Sequence, residues 1–190
     1  FKYVDTEHYT YGELFNEINA NTGGINCGVE VFDRADSTEE FQAMFSVRGK
    51  ALYTKMDFLF KMIGEILNSS KLEDTKRLYE IVASVKSRAQ VNLTGAGHST
   101  AVLRAAAYSS PMAAFQDEMA GIGYYQFIEK LEKDFEQRKE ETVEELCKLM
   151  KKILRPENFM ISYTGERESL ETVQKLTGAV KAGLGTEPVE

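Results

Sequence analysis

Two spacings of hydrophobic residues alternate along this chain. The first helical stretch runs from Thr10 to Asn19, where Leu14, Phe15 and Ile18 share one face. Thr10 is its N-cap, and Glu13, three residues on, completes a capping box. Gly23 and Gly24 stop this helix, because glycine takes the left-handed backbone of a helix end at little steric cost. The period then drops to two. Ile25, Cys27, Val29 and Val31 alternate with Asn26, Gly28, Glu30 and Phe32, which predicts a strand over 25–32. A polar turn at 33–37 leads to a second alternating run through Phe41, Ala43, Phe45 and Val47, ended by Gly49. The two strands form an antiparallel hairpin.

Helical spacing then dominates. Phe58, Leu59, Met62, Ile63, Ile66 and Leu67 make one wide apolar stripe. A second helix starts near Leu72 or Glu73, buries Leu78, Ile81, Val82 and Val85, and fades at Thr94-Gly95-Ala96-Gly97. An alanine-rich helix covers 99–108, a short one 112–119, and Gly121-Ile122-Gly123 separates them from a helix that opens at Tyr124. The charge-dense run over 129–152 is a solvated helical face backed by Val143, Leu146, Cys147, Met150 and Ile153. Arg155-Pro156 breaks it. Phe159, Ile161 and Tyr163 alternate as a third strand, and a last helix covers 169–180. The fold class is therefore α+β: an antiparallel-rich mixed sheet covered by several helices. Three strands are few for such a core, so an N-terminal strand and helix are expected upstream of Phe1.

Composition narrows the functions. The chain has 190 residues, 43% of them hydrophobic, and a formal net charge of -7. An acidic chain repels phosphate backbones, which argues against nucleic acid as a partner. No apolar run approaches the roughly 18 residues that span a bilayer, so no membrane partner is expected. Cys27 and Cys147 lie on apolar faces and read as reduced thiols of a cytosol-like compartment. The chain starts without Met, and residues 183–190 have linker composition; a piece of a longer protein is expected, with one domain over 1–182 and a linker over 183–190.

Candidate chemistry is sparse. The two histidines, His8 and His98, have no second ligand at zinc spacing, and one histidine cannot close a metal site. The Gly23-Gly24 joint is no phosphate loop, since its order is helix, glycines, strand rather than strand, glycines, helix. It reads as a turn. Alternation turns Asn26, Gly28, Glu30 and Phe32 away from the helix-covered face, toward whatever a partner element would enclose. These residues alone point to a noncatalytic domain.

Several segments in order then suggest a family. They are Tyr9-Thr10-Tyr11-Gly12-Glu13-Leu14, Asn21-Thr22-Gly23-Gly24-Ile25, Val47-Arg48-Gly49-Lys50-Ala51-Leu52, Gly97-His98-Ser99-Thr100-Ala101, Arg104-Ala105-Ala106, Ser109-Ser110-Pro111, Gly121-Ile122-Gly123-Tyr124-Tyr125 and Ile161-Ser162-Tyr163-Thr164-Gly165. Together they resemble the insulinase/pitrilysin-like zinc metallopeptidases, in particular the presequence-protease and falcilysin-like subgroup. The resemblance implies a full chain of four related α/β domains that close like a clamshell around a chamber. It places zinc in the first domain, on His-x-x-Glu-His and a later Glu. The Gly97-His98 and Arg104-Ala105-Ala106 segments resemble the third domain, which lacks that motif.

The implied function is a chamber wall of a zinc-dependent oligopeptidase that degrades unfolded peptides. The alternative is a scaffold subunit that keeps the fold without proteolysis. No catalytic or metal-binding residue is implied here, because the family's assisting Arg and Tyr belong to its last domain. The implied partners are the remaining domains of the same chain and unfolded peptides. The implied compartment is cytoplasm or an organelle matrix.

Overall fold

The structure, a computed structural model, describes residues 3–37 and 39–186. Among them are eight α-helices and one two-stranded sheet, an α+β fold. The chain divides into two compact units. The first comprises residues 1–28, 46–73 and 143–190, and the second residues 29–45 and 74–142.

In the first unit, helix α1 (Tyr11–Asn21) starts on the capping box that its sequence announces: the Glu13 amide donates to Thr10 Oγ1, and the Glu13 carboxylate accepts from the Thr10 amide. Leu14 and Ile18 of α1 pack with Ile25, the first residue of β1 (Ile25–Asp33), and with Leu59, Met62 and Ile66 of α2 (Met56–Asn68). Tyr9, Cys27, Val47, Phe58 and Ile63 close around this cluster. Val47 belongs to β2 (Phe41–Gly49), which pairs with β1. Ahead of α1, an isolated antiparallel bridge joins Thr6 to Ser70 just beyond α2. Helix α8 (Leu170–Ala182) packs on α2 and buries Val173 and Val180.

The second unit is helical. Helix α3 (Thr75–Gly95) is capped by Asp74, whose side chain accepts from the Arg77 amide. It packs on α6 (Ile122–Lys133), burying Leu78 and Val82 against Ile128 and Leu131. Lys86 on α3 reaches Glu132 on α6 at 2.7 Å. Helix α4 (Gly97–Ala106) and α5 (Pro111–Ala120) complete the bundle. Pro111 opens α5 at the position where a missing amide costs nothing, with Ser110 as cap. In the polar turn of the hairpin, Arg34 bridges Asp36 and Glu40.

Two expectations need correction. The stretch from Tyr124 to Lys152 is two helices, α6 and α7 (Phe135–Ile153), broken at Asp134. The break buries Phe135 to 1% exposure, with its ring 5.4 Å from that of Tyr79. Residues 159–164 form no strand, for want of a neighbouring strand to pair with. Leu184, expected in a linker, is buried, and a side chain on Gly183 would meet Asn68 Nδ2 at 2.8 Å. The rest of that linker, 187–190, lies outside the described residues, as do Phe1 and Lys2.

Ile66 is fully buried, whereas Ile63 lies half-buried at the edge of the same cluster. Truncating a buried aliphatic side chain to Ala costs about 2–5 kcal/mol. Thermal melts are expected to show that loss for Ile66→Ala and a smaller one for Ile63→Ala.

Candidate functional site

The joint between α1 and β1 is the candidate binding site. Thr22 ends α1: its amide and hydroxyl both donate to the Ile18 carbonyl, and its hydroxyl accepts from the Gly24 amide at 3.0 Å. Sequence reasoning assigned the stop to glycine alone and missed this threonine. The signal was a Thr at a helix end, where a hydroxyl can reach back four residues. Gly24 then takes φ +104°, a conformation that disfavours any L side chain. Gly23 does not. Its amide donates to the Lys50 carbonyl at 2.7 Å, and a Cβ there would meet the Lys50 side chain at 2.6 Å.

The turn leaves a groove of about 100 Å³ lined by Phe15, Ile18, Asn19, Gly24, Ile25 and Asn26. Its floor is apolar, and Asn19 and Asn26 supply amide groups. A groove of this size accepts one aliphatic side chain.

The facing expected for β1 holds over its first half only. Ile25 is buried, Cys27 half-buried, and Asn26 and Gly28 exposed. Beyond Gly28 the alternation lapses. Val29 is 47% exposed although it was expected on the covered face, and Glu30 is half-buried although it was expected outside. Phe32 is exposed as expected, and Val31 is half-buried. The lapse begins where the first unit ends, at Gly28, and the second begins, at Val29.

The second unit holds a charged site that sequence reasoning passed over. Asp117 on α5 is 1% exposed. Its Oδ2 accepts from Arg104 Nη1 on α4 at 2.6 Å and from the Gly123 amide at 3.1 Å, while Oδ1 accepts from the Ile122 amide at 3.1 Å. The carboxylate thus serves the orphan amides at the start of α6, where the helix dipole also favours an anion. Asp117 raises the Arg104 guanidinium above its ordinary range, and Tyr108, whose ring lies under it at 5.8 Å, adds to this. A Cβ on Gly121 would collide with the Asp117 carboxylate, and one on Gly123 would meet it at 2.9 Å. The Gly-x-Gly spacing is therefore the space that a buried carboxylate requires. The legible signal was this pair of glycines four and six residues after an Asp.

Neither histidine joins a cluster. His8 Nδ1 contacts Glu65 on α2 at 3.0 Å, and His98 is exposed on the first turn of α4. Cys27 and Cys147 are half-buried free thiols. Among the described residues no three of His, Cys, Asp and Glu come together as a metal site. No helix is long and apolar enough to cross a membrane among the described residues.

Two outcomes follow from this geometry. Gly24→Ala is expected to destabilise the chain by about 1–2 kcal/mol, the left-handed penalty. Gly23→Ala should cost less, because the Lys50 methylenes can move aside; chemical denaturation compares the two. At Glu65, burial favours the neutral acid, but hydrogen bonds from Thr6 and His8 outweigh it and hold the carboxyl below its ordinary range. A lowered pKa gives stability that is present above the unfolded carboxylate range and lost as pH falls through the folded value. The melting temperature of Glu65→Gln should therefore lie below that of the wild type at neutral pH, with the gap shrinking in acid.

Comparison with known proteins agrees with this picture. The chain is 31% identical over 170 residues to Protein HypA of Clostridium perfringens, covering 90% of this chain and 17% of that protein. It is 29% identical over 136 residues to the mitochondrial presequence protease of Yarrowia lipolytica, covering 72% and 14%. It is 25% identical over 172 residues to the chloroplastic/mitochondrial presequence protease 1 of Arabidopsis thaliana, covering 90% and 16%. The chain thus spans 14–17% of the length of these relatives. A family model described as Peptidase M-16C associated matches residues 1–131. This chain belongs to that peptidase-associated family.

Proposed function

We propose that this chain is a noncatalytic wall domain of a zinc-dependent oligopeptidase that degrades unfolded peptides. One observation carries the reading: the family match, joined to relatives named presequence proteases of which the matched region covers only 14% and 16%. In this reading the zinc and its ligands belong to the parent's N-terminal domain. Residues 1–182 are one of several domains that enclose the substrate, and 183–190 lead to the next. The partners are those other domains and unfolded peptides. The two free thiols suit a reducing compartment, either cytoplasm or the matrix of an organelle such as those named for the relatives.

Asn26, Gly28 and Phe32, exposed on β1, are the residues proposed to face the enclosed space, with Glu30 half-buried among them. They act by contact and confinement. Bond cleavage would belong to another domain, whose metal would supply the hydrolytic chemistry.

The test uses the full-length parent. It is expected to cleave unfolded peptides, to lose that activity to a chelator, and to regain it with zinc. Phe32→Asp is expected to raise KM for long peptides several-fold while leaving the zinc content unchanged. A parent without peptidase activity would make this a scaffold and overturn the proposal. Loss of stoichiometric zinc in Phe32→Asp would overturn the noncatalytic assignment.

A further inference from the structure

Arg104 carries a charge that its partner does not exhaust. Asp117 already accepts from the Ile122 and Gly123 amides at 3.1 Å and faces the positive end of the α6 dipole. Arg104 adds one hydrogen bond, from Nη1 at 2.6 Å, and Asp117 is the one carboxylate it reaches among the described residues. A guanidinium grips a carboxylate best through two parallel N–H donors on one edge. Asp117 takes Nη1, so the side-on edge of the fork, Nε and Nη2, meets no carboxylate among the described residues. The side chain is 40% exposed and open to a ligand.

The fork is also held in place. An unanchored surface Arg loses side-chain entropy when it binds, and that loss offsets most of an exposed ion pair. Here the bond to buried Asp117 fixes one end of the guanidinium, and the Tyr108 ring lies against it with its centroid 5.8 Å away. The entropy is lost on folding, before any ligand arrives. Tyr108 is itself 83% exposed and lines a cleft of about 480 Å³ with Ala107, Ser109, Ser110, Pro111 and Glu39. The Glu39 carboxylate repels acidic groups from that cleft. The arrangement fits a ligand with a carboxylate at Arg104 and a neutral or basic residue in the cleft.

We infer that Arg104, set by Asp117 and Tyr108, is a binding site for a carboxylate of an unfolded peptide. A peptide C-terminus and an Asp or Glu side chain share this chemistry. The inference rests on the reading of the parent as an oligopeptidase and adds which group of the peptide is held. Arg104 and His98 lie about 120° apart around α4, so the two side chains leave the helix in different directions.

Arginine modification of the full-length parent tests it. Phenylglyoxal is added to the chelator-treated parent, in which peptides stay whole, and mass spectrometry follows Arg104. Three peptides of one neutral sequence serve as probes: the free C-terminal acid, its C-terminal amide, and the amide with one internal Asp. At saturation, a carboxylate-bearing probe is expected to slow modification of Arg104 at least about tenfold, and the plain amide to leave it unchanged. Protection by the free acid alone assigns the C-terminus, by the Asp peptide alone an acidic side chain, and by both any carboxylate. Equal protection by all three, or protection by none, would overturn the proposal. So would an Arg104 that resists modification in the peptide-free parent, because another part of the protein would then occupy the fork. Arg104→Lys keeps a charge for Asp117 but lacks the fork, and it is expected to bring the affinity for the free acid down to that for the amide. An undiminished preference for the acid in that variant would place the recognition elsewhere; where the variant unfolds, the wild-type protection decides. Peptidase activity of the zinc-loaded parent is read separately. Protection of Arg104 without cleavage would sink the proposed function and leave this site standing, and cleavage without protection would do the reverse.

Discussion

The first unit depends on one buried seam. Leu14 and Ile18 from α1, Ile25 from the head of β1, and Leu59, Met62 and Ile66 from α2 meet there, each less than a tenth exposed. For Ile25 to reach the seam, the chain must reverse within three residues of the end of α1. That reversal is possible because Thr22 caps the Ile18 carbonyl in the last turn of the helix while Gly24 takes a backbone that other residues disfavour. The groove lined by Phe15, Asn19 and Asn26 is a by-product of the same turn. The candidate binding surface and the core thus share one constraint.

The second unit solves its corresponding problem with charge. Three helices, α4, α5 and α6, converge where a carboxylate is buried, and burial of an ion is tolerated only when its partners are supplied. Arg104 and two backbone amides supply them to Asp117, and Gly121 and Gly123 leave it room. Removing one partner leaves a buried charge uncompensated, so this site holds the geometry of three helices at once.

Much of this was legible in the sequence because local signals agreed with the fold. The capping box at Thr10 and Glu13, the stripe from Phe58 to Leu67 and the hairpin around Arg34 all formed near the predicted places. What escaped was set by contacts distant in sequence or by competing short-range bonds. The burial of β1 beyond Gly28 departs from strict alternation, and no periodicity in the sequence reports that. The break at Asp134 depends on Phe135 finding Tyr79, 56 positions earlier. The strand expected at Phe159 needed a neighbour, and alternation shows the capacity for pairing, never the partner. Asp117 looked like one acid among thirty, and only three-dimensional burial distinguishes it.

Family membership and an exposed apolar residue on β1 support the proposed reading, in which this domain would hold peptides for chemistry done elsewhere. Its central claim is that the β1 surface borders the enclosed space. The most direct measurement places a photo-crosslinking amino acid at position 32 of the full-length parent, with a second at the exposed position 98 as a control. The account predicts that a labelled unfolded peptide is captured at position 32 and not at position 98, and that an unlabelled substrate peptide competes it away. Equal capture at both positions, or capture at 98 alone, would contradict it.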